Sequence, residues 1–187
     1  MRIISGTLKG KKLLQPKDKF TRPLKDLTKE SLFNIIQHSN KFNSKIKGAN
    51  ILDLFSGVGS FGLECLSREA NTVTFIENYK TVIPILKKNI SNLNVLEKSK
   101  IIEKDILNKL NFNNLNSNFD IIFLDPPYKE KLLSTILEKI FNSKILNKDG
   151  LIIIHRHKNE IDNLNEFFNI IEEKVYGVSK LIFGNFI

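Results

Sequence analysis

The chain has 187 residues, enough for one globular domain and a small appendage, with a core that needs no disulfide or metal. Lys and Arg outnumber Asp and Glu by 29 to 20; the resulting +9 excludes an acid-rich, halophile-like chain and favours an anionic partner, nucleic acid being the commonest. The single cysteine, Cys65, excludes a disulfide framework. Apolar runs of four or five residues fall far short of the ~20 that span a bilayer, and MRIISGTLKG lacks the apolar stretch of a secretory signal, so the expectation is a soluble, cytoplasmic protein without a membrane partner.

Nine basic residues against two acidic ones lie in the first 29 positions, which concentrates +7 of the +9 in one arm. Residues 2–15, with Gly6 and Gly10, read as two short strands joined by a turn, a basic hairpin whose Arg2, Lys9, Lys11 and Lys12, continued by Arg22, form a candidate phosphate-binding strip. Arg22-Pro23 breaks the chain, and a helix is expected from about Asp26 to Gln37 with Leu27, Leu32, Ile35 and Ile36 on its apolar side.

From residue 50 short apolar runs alternate with helical segments. Strands are expected at 51–55, 73–77, 101–102, 119–125 and 151–155, and helices at 60–69, 79–92 and 131–141, Pro84 being tolerated only in a first turn or at a kink. The Asn-rich stretch 108–118 reads as a surface loop or a short, poorly ordered helix. Two consecutive strands, 170–178 and 180–186, close the chain. The pattern implies an α/β fold: a doubly wound, mostly parallel sheet ending in an antiparallel hairpin, preceded by the basic hairpin and helix. Residues 1–40 are taken as the basic extension and 41–187 as the α/β domain.

Asp53-Leu54-Phe55-Ser56-Gly57-Val58-Gly59-Ser60-Phe61-Gly62 places a G-x-G-x-x-G between a strand and a helix. Gly57 and Gly59 allow a tight turn and close approach of a ligand to bare backbone, while Gly62 lets helix and strand pack closely. Glu77, closing the second strand, is placed to hold two ribose hydroxyls. A dinucleotide or S-adenosylmethionine would fit; Asp53 favours the latter, because a carboxylate there repels a pyrophosphate and suits a cationic amino-acid end. Asp105 follows the third strand, where it can accept from an adenine amine with Asn78 and Ile106 lining the ring, or equally cap a following helix.

The fourth strand runs into Asp125-Pro126-Pro127-Tyr128. Two prolines fix the backbone and remove two amide donors, which leaves the Asp125 carboxylate and the Pro126 carbonyl as rigid acceptors beside the Tyr128 ring. An exocyclic nucleobase amine needs such a pair. Its lone pair is delocalised into the ring, and two acceptors on its N–H groups favour a pyramidal nitrogen, while Tyr128 can stack on a flipped base. The turn does not distinguish a guanine amine from an adenine amine.

These motifs resemble class I S-adenosylmethionine-dependent methyltransferases acting on exocyclic amines, which have a Rossmann-like sheet. With Arg2-Ile3-Ile4-Ser5-Gly6, Lys9-Gly10-Lys11-Lys12-Leu13 and the run from Arg22 to Asn34, nearly the whole chain closely resembles the RsmD family. That resemblance implies methylation of a guanine N2 amine in 16S ribosomal RNA, alone or within the small subunit or its precursor. It implies a cofactor site at Asp53, Phe55, Gly57, Gly59, Glu77, Asn78, Asp105 and Ile106, and catalytic Asp125, Pro126 and Tyr128. The alternatives are an adenine-N6 enzyme on DNA or RNA, a non-catalytic RNA-binding assembly factor, and a nicotinamide-dependent dehydrogenase. Where family members commonly carry an acidic residue after the fifth strand, this chain has His155-Arg156-His157. No metal is expected there, since no Cys or third His lies near the pair in the sequence, and a solvent- or partner-facing role is expected for the histidines.

Overall fold

Apolar runs separated by Gly- and Asn-containing turns fold, in a computed structural model describing residues 1–16, 24, 26–127, 133–164 and 166–187, into one seven-stranded sheet. In chain order the elements are α1 (Asp26–His38), β1 (Asn50–Leu54), α2 (Ser60–Ser67), β2 (Thr72–Ile76), α3 (Ile83–Asn92), β3 (Ser99–Ile102), β4 (Phe119–Leu124), α4 (Leu133–Ser143), β5 (Leu146–His157), β6 (Phe168–Tyr176) and β7 (Ser179–Phe186). The strand order is β3-β2-β1-β4-β5-β7-β6. The first five strands are parallel; β7 is antiparallel to β5, and β6 to β7. The doubly wound sheet with a closing hairpin is thus the observed one.

Both sheet faces are covered, so β1 and β4 are buried at nearly every position rather than at alternate ones. Ile51, Val73, Phe75, Ile121, Phe123, Ile153 and Phe183 pack with α1, α2 and α3. Leu52, Leu54, Ile122, Leu124, Ile152 and Ile154 pack on the other side with α4 and with the turn at Phe112–Leu115, whose two apolar ends are buried within the Asn-rich stretch. Phe61 of α2 stacks between Phe33 of α1, at 5.4 Å, and Phe123 of β4, at 4.1 Å, which joins the first helix to the sheet. Gly62 is required in this packing: a Cβ there would lie 2.3 Å from the Phe75 ring.

Several expectations need correction. In α1, Leu27 is 71% exposed and Phe33 takes its place in the core. The helix expected from Tyr79 starts at Ile83, with Pro84 in its first turn, where the missing N–H has no helical partner to lose. The N-terminal segment is not a pair of strands. It closes through one antiparallel bridge, Arg2 to Lys12, and bonds such as Ile3 N to Lys11 O at 2.9 Å.

The reason is that α2 takes the arm's amides. Glu64 accepts from Ile4 N at 2.8 Å and Ser5 N at 2.9 Å, and Ser67 exchanges bonds with Ser5, Thr7 and Leu8. Asn89 of α3 accepts from Leu14 N at 2.8 Å and donates to the Leu14 carbonyl. Ile3 and Leu13 enter the same core as the sheet. Beneath the arm, the buried Lys29 ammonium donates to the Arg2 carbonyl at 2.7 Å and lies 3.5 Å from Glu64; burial pulls its pKa below the usual value against the pull of that carboxylate. Lys29 is therefore a structural cation rather than part of an RNA-facing strip.

Gly6 sits at φ +85°, and a Cβ there would lie 1.9 Å from the Ser67 carbonyl oxygen. Replacing Gly6 by Ala is expected to lower stability by about 2 kcal/mol or more, because neither backbone can yield. Chemical denaturation of variant and wild type checks this, and an unchanged midpoint would show that the arm does not contribute to the core.

Candidate active site

The parallel strands stop in step. Leu54 pairs with Ile76 and Leu124, Ile76 with Ile102, and Leu124 with Ile154, so the next residues of each strand form one rim. The rim lies at the β1/β4 junction, where strand order reverses and open α/β sheets bind ligands.

Asp53 is 1% exposed. Its Oδ2 accepts from Gly62 N at 3.0 Å, supplying a cap to an α2 amide that has no intrahelical partner, while Oδ1 is buried without a hydrogen-bond partner. Burial, reinforced by the charges of Asp125 and Glu77, holds the Asp53 carboxyl well above the usual carboxylate range. A buried acceptor lacking a donor calls for a hydrogen-bond donor from a ligand.

After β1 the chain reverses through left-handed backbone at Phe55 (φ 59°), Gly57 (φ 54°) and Gly59 (φ 86°). A Cβ on Gly57 would meet nothing within 4 Å, so this turn faces open space. Glu77 reaches back to it: Oε2 accepts from Gly57 N at 2.7 Å, and Oε1 from Asn78 N and Tyr79 N at 2.9 Å. The carboxylate expected to hold ribose thus also fixes the glycine loop. Asp105 caps the turn that follows β3, accepting from Leu107 N and Asn108 N; these amide bonds, the Asn108 one foremost, hold its carboxyl below the usual range. Its Oδ2 accepts from Asn78 Nδ2 at 3.1 Å, and Ile106 beside it is buried. The eight residues expected to hold a cofactor therefore cluster along the ends of β1, β2 and β3, with an orphan acceptor and an open glycine turn that fit S-adenosylmethionine.

At the end of β4, Pro126 is buried and the Asp125 side chain is 23% exposed. Tyr128 and Arg22 lie outside the described residues. Arg2, Lys9, Lys11 and Lys12 are exposed on the arm, Arg2 with Asp26 at 3.5 Å.

The solvent- or partner-facing role expected for the histidines fails at His155. It is 5% exposed, with Nδ1 2.8 Å from Asp125 Oδ1 and Nε2 2.9 Å from Ser179 Oγ. It was misread because its partners are 30 and 24 residues away in sequence. Arg156, also buried, points to the opposite face, donates to the Pro127 carbonyl at 3.3 Å and pairs with Asp162 at 2.8 Å. Glu64 was missed as well, although a carboxylate inside the apolar run Phe61 to Leu66 was a legible sign of a buried polar partner. Among the described residues no group of three or more His, Cys, Asp or Glu is placed to hold a metal, and no helix is long and apolar enough to cross a membrane.

This sheet order, with a glycine turn after β1 and acidic groups ending β1, β2 and β4, defines a Rossmann-like methyltransferase fold. The chain belongs to the family described as conserved hypothetical protein 95, whose model matches residues 1–185, the RsmD family that its motifs resemble. It is 34% identical to ribosomal RNA small subunit methyltransferase D of Haemophilus influenzae over 95% of this chain and 90% of that protein. Identity to the Escherichia coli protein of the same name is 30%, over 95% and 85%. Among solved structures, an E. coli protein described as a "putative methyltransferase" superposes with TM-score 0.79 at 28% identity, covering 98% of this chain and 96% of that one.

The raised Asp53 carboxyl has a consequence of defined sign. Above the ordinary carboxylate range the unfolded chain ionises Asp53 before the native state does, so native stability falls as pH rises toward the native value. The stability difference between Asp53→Asn and wild type is therefore expected to shift in favour of the variant from pH 4 to pH 8, while S-adenosylmethionine affinity drops about 10- to 100-fold, the weight of a charged hydrogen bond. Thermal melts across pH and titration calorimetry measure both; a pH-independent difference would mean that Asp53 ionises freely.

Proposed function

We propose that this protein transfers the methyl group of S-adenosylmethionine to the exocyclic N2 amine of a guanine in 16S ribosomal RNA, acting on the small subunit or its precursor. The observation that carries this reading is that Asp53, with its partnerless buried oxygen, and Asp125 lie at the ends of the adjacent strands β1 and β4, on the one rim that also carries the glycine turn. Asp53 would hold the cofactor's ammonium, Glu77 its ribose, and Asn78, Asp105 and Ile106 its adenine. The bound cofactor supplies an electrophilic methyl group on a sulfonium.

The remaining work falls to the chain. Asp125 and the Pro126 carbonyl accept the amine's N–H groups, aim the nitrogen lone pair and give its displaced proton an acceptor in the carboxylate. Burial of Pro126 and the Arg156 bond to Pro127 keep the turn rigid, which matters because a misplaced acceptor loses most of the orientation advantage. Tyr128 is assigned the stacking role on the flipped base. The exposed Arg2, Lys9, Lys11 and Lys12 are assigned to RNA phosphates, and the anchoring of the arm on α2 gives these four a fixed position relative to the glycine loop; Arg22 is assigned to the same strip. The ribosomal RNA methyltransferase names carried by the relatives support RNA as substrate. The guanine assignment rests on the resemblance alone.

Small subunits and 16S RNA from cells lacking the gene, incubated with the protein and labelled cofactor and then digested to nucleosides, are expected to yield N2-methylguanosine. N6-methyladenosine would move the reading to an adenine enzyme, and cofactor binding without transfer to any RNA would make the protein an assembly factor. Asp125→Ala is expected to keep cofactor affinity within a few-fold and lose at least ~10² in turnover.

A separate measurement addresses the arm. Replacing Lys9, Lys11 and Lys12 together by Ala is expected to leave cofactor binding intact and to flatten the log–log salt dependence of RNA binding by roughly two to three units. An unchanged slope would place RNA docking on another surface.

A further inference from the structure

The structure assigns His155 a role in the reaction: fixed by Ser179, it binds one oxygen of Asp125 and thereby presents the other to the substrate amine, as a positioning residue for methyl transfer. This rests on the function proposed above and adds to it a residue that none of the sequence motifs singles out.

Three observations converge. Register comes first. Leu124 pairs with Ile154, so Asp125 and His155 leave neighbouring strands side by side, and His155 pairs with Leu181 of β7, which puts Ser179 at the diagonal position on the same face. The second is chemistry. An ionised carboxylate only accepts, so the His155 Nδ1 hydrogen must be donated to Asp125 Oδ1 across 2.8 Å. In the neutral ring Nε2 is then the acceptor for the Ser179 hydroxyl at 2.9 Å, which sets both tautomer and ring plane. The third is burial: His155 and Ser179 are 5% and 6% exposed, whereas the Asp125 side chain is 23% exposed. The ring is therefore closed off from solvent, while the carboxylate it binds is partly open to it.

The final torsion of an aspartate is soft. Unheld, the Asp125 carboxylate would rotate and spread its acceptor directions; with Oδ1 engaged, Oδ2 keeps one direction. On the opposite face of β5, Arg156 holds the Pro127 carbonyl, so consecutive residues secure the side chain and the backbone of the same turn.

The test compares His155→Asn, His155→Gln, His155→Ala and Ser179→Ala in the full-length protein, with wild type and Asp125→Ala as controls. Asn places its amide nitrogen near the lost Nδ1, while Gln reaches instead toward Ser179. The Ala and Gln variants are expected to lose about 10- to 100-fold in kcat, with RNA KM and cofactor Kd within about twofold of wild type. His155→Asn is expected to recover most of that loss. Ser179→Ala is expected to lose about 3- to 10-fold alone and nothing further when combined with His155→Gln. Asn as slow as Ala, Gln as fast as Asn, or losses confined to KM and Kd would overturn the assignment; if His155→Ala does not fold, the Asn–Gln comparison and Ser179→Ala decide it. Wild type that methylates no RNA, or a fully active Asp125→Ala, would instead overturn the proposed function itself.

Discussion

The chemistry of this protein depends on five parallel strands ending at the same height. Parallel pairing fixes each neighbour's register, and here it aligns Ile102, Ile76, Leu54, Leu124 and Ile154 across the sheet. A slip of one residue in β4 would turn its apolar set to the opposite face and carry Asp125 away from Asp53 and His155 together. The rim is therefore held in place by the core: Phe123 and Ile121 on one face, and Ile122 and Leu124 on the other, cannot exchange faces without exposing or clashing large side chains.

A second constraint acts at right angles to the sheet. Glu64 is fully buried yet accepts from two amides of the arm and pairs with Lys29 and Arg68. Removing one partner of such a cluster leaves the others charged and desolvated, a loss of several kcal/mol, which is why it holds the arm to one geometry. Ser60, at the start of α2, lies 3.5 Å from the same Lys29 ammonium. The basic surface and the helix that follows the glycine turn thus share one buried group.

Much of this was legible in the sequence because it is local. The Asp53-to-Gly62 loop, the Glu77 strand end and the Asp-Pro-Pro turn each carry their meaning within a dozen residues, and alternation of strand and helix fixes the sheet. What escaped was non-local. Nothing within ten residues of His155 announces Asp125 or Ser179, and the arm reads as two strands until Glu64 and Ser67 are seen to take its amides. Leu27 was misplaced because helical periodicity allows neighbouring stripes, and the aromatic stack of Phe33, Phe61 and Phe123 selected the one containing Phe33.

The attachment of the arm also sets an order of events in folding. Its amides find their side-chain partners 59 and 60 residues later on α2 and 75 residues later at Asn89, while β1 joins β4 some 70 residues downstream. Until those partners are present the arm can form only its own few bonds, the Arg2–Lys12 bridge and contacts such as Ile3 N to Lys11 O. Contacts of such long separation slow folding, because the entropy of loop closure is lost before any bond repays it. The positive charges at Arg2, Lys9, Lys11 and Lys12 repel one another in that interval, which opposes collapse of the waiting segment.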